Sequence, residues 1–306
     1  MKRLNVFLFV IALFSMGCKT SNENATEIDT PTSGEISISV DETLQPIAEA
    51  QVDIFQHQYP NAKVNIRYRS EGECVSDLFN DSSKLIFLGR TLNADELKAF
   101  KNNTFNPPTI KIATDAIALV VNPKNRDTAF TYPQIQKILR GENPQYSIVF
   151  DNQLSGTVSY VLKMTEQKAM PKNAYAVKSN LEAVNYVATH ENAIGVVGWS
   201  WISDSDDPKT REYLSKVRLV SLSPKEGNGT EFAKPYQLFL AQGKYPLSRD
   251  VYIIQRERRN GLSAGLTSFV ISDIGQTIIL KSGLLPAYQQ DRWIEMKTKS
   301  VGKVKN

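Results

Sequence analysis

Three stretches place small hydroxyl residues where an apolar strand pattern gives way to a helical one: Thr43, Ser70, and the Ser155-Gly156-Thr157 turn. The chemistry this offers is anion capture. Backbone N–H groups in the first turn of a helix have no partner within it, and the positive end of the helix dipole lies there. A hydroxyl adds a donor that rotates, and a glycine such as Gly156 lets backbone approach a ligand closely. Ser and Thr are also the common helix N-caps, so for any one of the three capping alone is the better account. Two charged residues stand at matching places. Arg90 follows the apolar run 85–88 and Asp151 follows the run 147–150, and open α/β sheets bind ligands at strand carboxyl ends. Three carboxylates, Glu42, Glu71 and Glu73, lie close in sequence to these starts. If they face inward, they oppose an anion.

Other chemistries find little support. His57 and His190 are isolated, without metal-ligand spacing. His57 closes a helical stretch, where a C-terminal charge is favourable without function. Cys74 sits beside Val75, Leu78 and Phe79 and reads as an inert buried thiol. Neither clustered His and Asp ligands nor a Ser–His nucleophile pair is recognisable, which argues against a phosphoryl hydrolase. No cofactor or metal is expected.

The elements that must position these residues alternate. Ile36, Ile38 and Val40 predict a first strand, followed by a helix from about Thr43 with Leu44, Ile47, Ala50 and Ile54 on one face and Pro46 in its first turn. Strands are predicted at 64–68, 85–88, 117–121, 147–150, 194–199, 217–222 and 251–254. Helices are predicted at 72–80, 95–100, 132–140, 156–167, 179–190, 263–271 and 273–281. This is an α/β pattern. At 306 residues, with 41% hydrophobic and 22% charged, the chain suits two lobes of ordinary domain size.

Lys2 and Arg3, the short apolar run Val6 to Phe14, and Gly17-Cys18 form an export signal of the bacterial lipoprotein kind, with Cys18 as the lipidated residue. Ser15 stands where that signal usually has Leu, and an ordinary cleaved signal is the alternative. Residues 19–34 are polar and aperiodic, a flexible tether. With Lys2 and Arg3 removed, the 36 basic residues become 34 against 32 acidic ones. So balanced a chain has no electrostatic footprint for nucleic acid.

Several strings, in order, resemble the phosphate-binding component of the bacterial phosphate ABC transporter, a type II periplasmic solute-binding protein family. They are Ser39 to Pro46, Gly89 to Leu92 with Asp95-Glu96, Asp115 to Pro123, Ser155-Gly156-Thr157, Asn192 to Gly198, Tyr245 to Arg249, and Gly275-Gln276 through Gly283 to Pro286. The resemblance spans 35–290. It implies contacts to inorganic phosphate from Thr43, the backbone of Leu44, Ser70, Ser155, Gly156 and Thr157. The family's usual form has an acidic residue where Arg90 stands and an arginine where Asp151 stands. The expectation is that the charges have traded lobes. Arg90 would grip the anion as a fork, and Asp151 would accept a hydrogen bond from a protonated oxyanion. The alternative makes both ordinary salt-bridge residues.

The implied architecture is two lobes, each a mostly parallel sheet flanked by helices, joined by a two-strand hinge near 116–121 and 247–254. The signal would cover 1–18 and the tether 19–34. One lobe would comprise 35–113 and 246–290 and the other 114–245, with a tail at 291–306. The implied function is an exported, lipid-anchored, monomeric binding protein that delivers phosphate to the membrane permease of an ABC transporter. Another oxyanion such as sulfate, or a ligand-free structural or signalling lipoprotein, are the alternatives.

Overall fold

The computed structural model describes residues 29–102, 105–226, 229–256 and 260–288. The expected signal with Cys18, tether residues 19–28 and the tail 291–306 lie outside the described residues.

The chain begins with β1 (Gly34–Asp41), a 3₁₀ turn at Glu42–Leu44, α1 (Gln45–Gln58), β2 (Ala62–Arg69), α2 (Glu71–Phe79), β3 (Leu85–Leu88) and α3 (Ala94–Asn102). It continues through β4 (Thr109–Val121), β5 (Ala129–Phe130), α4 (Tyr132–Leu139), β6 (Ser147–Phe150), α5 (Gly156–Thr165), β7 (Ala174–Ala176), α6 (Asn180–Thr189) and β8 (Ala193–Gly198). After a 3₁₀ turn at Trp199–Trp201 come α7 (Pro208–Lys216), β9 (Arg218–Leu219), β10 (Ser221–Leu222), α8 (Gln237–Ala241) and β11 (Ser248–Gln255). The described chain closes with α9 (Leu262–Ile271), α10 (Asp273–Lys281) and β12 (Leu285–Pro286).

The main sheet has the order β2-β1-β3-β11-β4-β8-β6-β7. β1 runs parallel to β2 and β3, and β6 runs parallel to β7 and β8. β11 is antiparallel to both β3 and β4, and β4 is antiparallel to β8. The long β4 therefore belongs to both halves. Its first part pairs with β11 as far as Ala116, opposite Ser248, and its second part pairs with β8 from Ile117 onward. Ile117 N–H donates to Leu247 O at 2.8 Å, so the two crossings between halves lie side by side.

Each half has its own apolar core. Ile112 and Ala113 of β4 pack with Ile38, Leu44 and Phe55, whereas Ala116 to Val121 pack with Ile148, Val196 and Leu247. The continuous run Leu85-Ile86-Phe87-Leu88 is fully buried because the sheet is covered on both faces. Leu85 and Phe87 enter the core with α1, while Ile86 and Leu88 meet Cys74, Leu78 and Phe100. Burying each such side chain contributes roughly 1.5–3 kcal/mol.

Some elements depart from expectation. The buried face of α1 is Ile47, Ala48, Gln51, Val52 and Phe55, while Ile54 is exposed. The face is rotated because Gln51 is drawn inside, its Nε2 donating to Gly275 O at 2.7 Å. The expected strand at 217–222 is two short pieces with different partners, β9 on β4 and β10 on β5. α7 was not expected, since its sequence is almost wholly polar. Its start was nevertheless legible: Asp207 accepts from the N–H groups of Lys209 and Thr210 ahead of Pro208. Residues 29–34, expected in the tether, are held on the body. Asp29 Oδ2 accepts from Leu262 N–H at 2.7 Å, and Gly34 takes a φ of 118° that only glycine adopts easily.

Candidate functional site

The start of α5 faces the end of β1 across the two halves. Ser155 is extended ahead of the helix, and its Oγ accepts from Val158 N–H at 3.2 Å. The same hydroxyl donates to Asp151 Oδ1 at 2.6 Å. Gly156 and Thr157 follow, both buried, and Thr157 Oγ1 makes no hydrogen bond among the described residues. The first-turn N–H groups here are an anion seat in the physical sense.

Opposite them lies Asp41, the last residue of β1 and wholly buried. Its Oδ1 accepts from Thr43 N–H at 2.9 Å, and its Oδ2 has no partner among the described residues. A Cβ on residue 156 would stand 2.1 Å from Asp41 Oδ2 and 3.0 Å from Glu71 Oε1. Only a glycine permits this approach. Burial, and then the Glu71 charge, push the Asp41 carboxyl up to about 7, although Arg249 opposes the shift.

Arg249, the second residue of β11, supplies the positive charge. Its Nε and Nη2 donate to Asp115 Oδ2 at 3.1 and 2.9 Å, and Nη2 also donates to Thr43 Oγ1 at 3.0 Å. Its Nη1 is buried without a partner among the described residues. Arg249 and Asp115 are register partners across β11 and β4. Burial works against the guanidinium charge, but Asp115 and Asp41 outweigh it and hold Arg249 above its ordinary value. Burial raises Asp115 against the pull of Arg249. Gly89 leaves passage for the side chain, since a Cβ there would meet Arg249 Cδ at 3.2 Å. A cleft of about 860 Å³ opens beside this centre, bordered by Gly156, Tyr160 and Lys163 on one side and Glu71, Arg90 and Arg249 on the other.

The expected residues fall into two groups. Thr43 and Gly156 meet at this centre, and Thr157 is buried in the first turn of α5 beside Gly156. Leu44 adjoins it through its backbone, with its side chain in the core. The others are engaged elsewhere. Ser70 N–H and Oγ both donate to Glu73 Oε2, at 3.0 and 2.8 Å, in a capping box. Ser155 is a cap bound to Asp151. The second oxygen of Asp151 accepts from Asn180 Nδ2 at 3.1 Å, and Asn180 Oδ1 in turn accepts from Gly198 N–H. Arg90 donates to Glu71 from Nε at 2.9 Å and to Glu96 from Nη1 and Nη2 at 2.8 and 3.0 Å. Arg90 lines the cleft with its fork already filled, and Asp151 is turned into a structural network. The arginine and carboxylate at the centre are instead Arg249 and Asp41.

The sequence reading does not single out Asp41 or Arg249, although both lie inside the strings that carry the family resemblance. Each ends or opens an apolar strand with a charge, and that was the available signal. Of the three glutamates near the helix starts, Glu71 turns inward, Glu73 caps α2, and Glu42 accepts from Asn152 Nδ2 across the halves at 2.9 Å. Cys74 is buried, and burial pushes its thiol well above the ordinary range.

The sequence matches the model of the family described as PBP superfamily domain over residues 25–273. Among curated relatives, the phosphate-binding protein PstS of Pseudomonas aeruginosa strain PAO1 is 24% identical over 283 residues, 83% of each chain. PstS of Borreliella burgdorferi is 22% identical over 305 residues, 93% of this chain and 99% of that one. Among solved structures, a chain from Clostridium perfringens named as a phosphate ABC transporter substrate-binding protein, with bound phosphate, superposes with a TM-score of 0.69 at 21% identity. That match covers 83% of this chain and all of the other. An ABC-type phosphate transport receptor from Vibrio cholerae gives 0.65 at 21% identity, with the same coverage. These likenesses, with the crossed sheet and its paired cores, establish a type II periplasmic-binding-protein fold, and the chain belongs to the PBP superfamily domain family.

Proposed function

We propose that this protein is an extracytoplasmic solute-binding protein that captures inorganic phosphate between its two halves and delivers it to the membrane permease of an ABC transporter. The observation that carries this reading is the buried centre between α5 and β11. There the start of α5 at Gly156 and Arg249 of β11 border the same cleft, and Arg249 Nη1 and Thr157 Oγ1 are buried without a partner among the described residues. The relatives named for phosphate binding or transport support the ligand class.

In this reading the lobes are 35–113 with 246–290, and 114–245, which the two separate cores support. Closure would act about the paired crossings at 116–117 and 247–248. Export with lipid on Cys18 and a monomeric state belong to the same reading. So does the absence of catalysis, supported by the binding-protein relatives.

The test is calorimetric titration of the purified protein with phosphate, sulfate and arsenate. Saturable binding of phosphate is expected, with Arg249→Ala and Gly156→Val each weakening it at least tenfold. Absence of binding by any of the three would instead favour a ligand-free lipoprotein. One specific observation keeps that second reading in view: Asp41 and Glu71 direct carboxylate oxygens at the anion seat.

A further inference from the structure

Asp41 stands where an oxyanion would be held. Its free Oδ2 lies against the backbone at Gly156, the first residue of α5, and its other oxygen is pinned by Thr43 N–H. The charges around it do not balance. Glu71 faces it from the start of α2, and Arg249 faces it from β11, itself committed to Asp115 on β4. Arg90, behind Glu71, is already shared between Glu71 and Glu96. Asp151, at the end of β6, adds a further buried carboxylate near Arg249. Glu42, the neighbour of Asp41, is bonded to Asn152, and Cys74 on α2 is a buried thiol. An anion brought to this seat meets a like charge within contact distance, which low effective dielectric makes costly.

Two responses exist. Asp41 could swing away, but it ends a buried strand, is wholly inaccessible, and is anchored through Oδ1. Alternatively its free oxygen could take a proton. A neutral carboxyl removes the repulsion and turns Oδ2 from an acceptor into an O–H donor aimed at the seat.

We propose that anion capture parts the contact between Asp41 and Gly156 as the two halves open, and is coupled to proton uptake by Asp41, whose protonated Oδ2 then donates a hydrogen bond to the oxyanion seated between them. The proton comes from solvent, and no covalent bond to the ligand forms or breaks. This rests on the reading of the centre as an oxyanion seat and deepens it, because it decides which form of ligand is taken. A carboxylate that accepts from the ligand would select anions that still carry a proton. A carboxyl that donates accepts fully deprotonated anions, and the cost appears as pH dependence. The tuning of Asp41 to about 7 by burial and Glu71 places that dependence in an accessible range.

The experiment is calorimetry with phosphate and with sulfate across about pH 5.5 to 8.5, in buffers of different ionisation enthalpy. Sulfate carries no proton in this range, and phosphate's own ionisation is measured separately and subtracted. Wild-type protein is expected to take up close to one proton per anion at the alkaline end, with affinity falling about tenfold per pH unit above about pH 7. Asp41→Asn is expected to lose both the uptake and the slope, and to bind about tenfold or more tightly than wild type at the alkaline end. The proton count on wild-type protein needs no variant, so misfolding of Asp41→Asn does not shelter the proposal. Binding without proton uptake, or a slope that survives in Asp41→Asn, overturns the coupling while leaving the oxyanion reading intact. Failure of both proteins to bind either anion at any pH overturns the oxyanion reading and this proposal with it.

Discussion

Asp41 Oδ2 and Gly156 are in contact across the two halves of the molecule, with no room between them for even one added carbon. The pair links the carboxyl end of the first strand to the first turn of α5. It also explains why the Ser-Gly-Thr turn requires glycine at its centre: Gly156 sits at the unstrained start of a helix, so what it provides is space.

Gly156→Ala is therefore expected to destabilise the protein by about 1–3 kcal/mol, as overpacking of a buried contact does. Asp41→Ala in the same chain should recover most of that loss by vacating the volume. Urea denaturation of the two single variants and the double variant measures this. A Gly156→Ala protein as stable as wild type would mean the contact is not held closed in solution.

Arg249 and Asp115 form an ion pair almost inaccessible to water, with side-chain exposures of 2% and 0%. Removing one partner leaves a buried charge, so Arg249→Ala should cost about 3–5 kcal/mol of stability. Replacing both residues with leucine should cost clearly less than the sum of the single changes. Additive losses in equilibrium unfolding would show that the two charges do not depend on each other.

The raised Asp41 carboxyl has a signed consequence for stability. Its folded-state value of about 7 lies above the ordinary 3.8, so the folded state holds the proton more tightly than the unfolded one. The stabilisation is complete below about pH 4 and is lost as pH rises to about 7, by up to about 4 kcal/mol for a single group. Burial also raises Asp115 and Asp151, so the contribution of Asp41 must be isolated. The difference in unfolding free energy between Asp41→Asn and wild type should move in favour of the variant across that interval and level off above it. A difference that does not change with pH would mean Asp41 titrates normally.

Cys18→Ser should abolish incorporation of labelled fatty acid and release the protein from membranes into the soluble fraction. Retention in salt-washed membranes after this substitution would leave the lipid assignment without support.

Much of the fold was legible in the sequence, because burial imposes periodicity on a chain. Alternation marked β1, an unbroken apolar run marked β3 with its two covered faces, and hydroxyl caps marked the helices at 71 and 156. The Ser155-Gly156-Thr157 turn was found for the same local reason, as small residues must stand where a strand turns into a helix. Local pattern failed where a residue's role depends on a distant partner. Arg90 and Asp151 occupy the strand ends expected of ligand-binding charges, yet Glu96 and Glu71 fill one and Ser155 and Asn180 the other. Arg249 and Asp115 meet only because β11 returns antiparallel beside β4, 134 residues away in sequence. Asp41 reaches Gly156 only when the two halves come together. Which residues lie at strand ends follows from the chain itself, but which charges are already paired, and which remain to meet a ligand, is decided by long-range packing that no local pattern encodes.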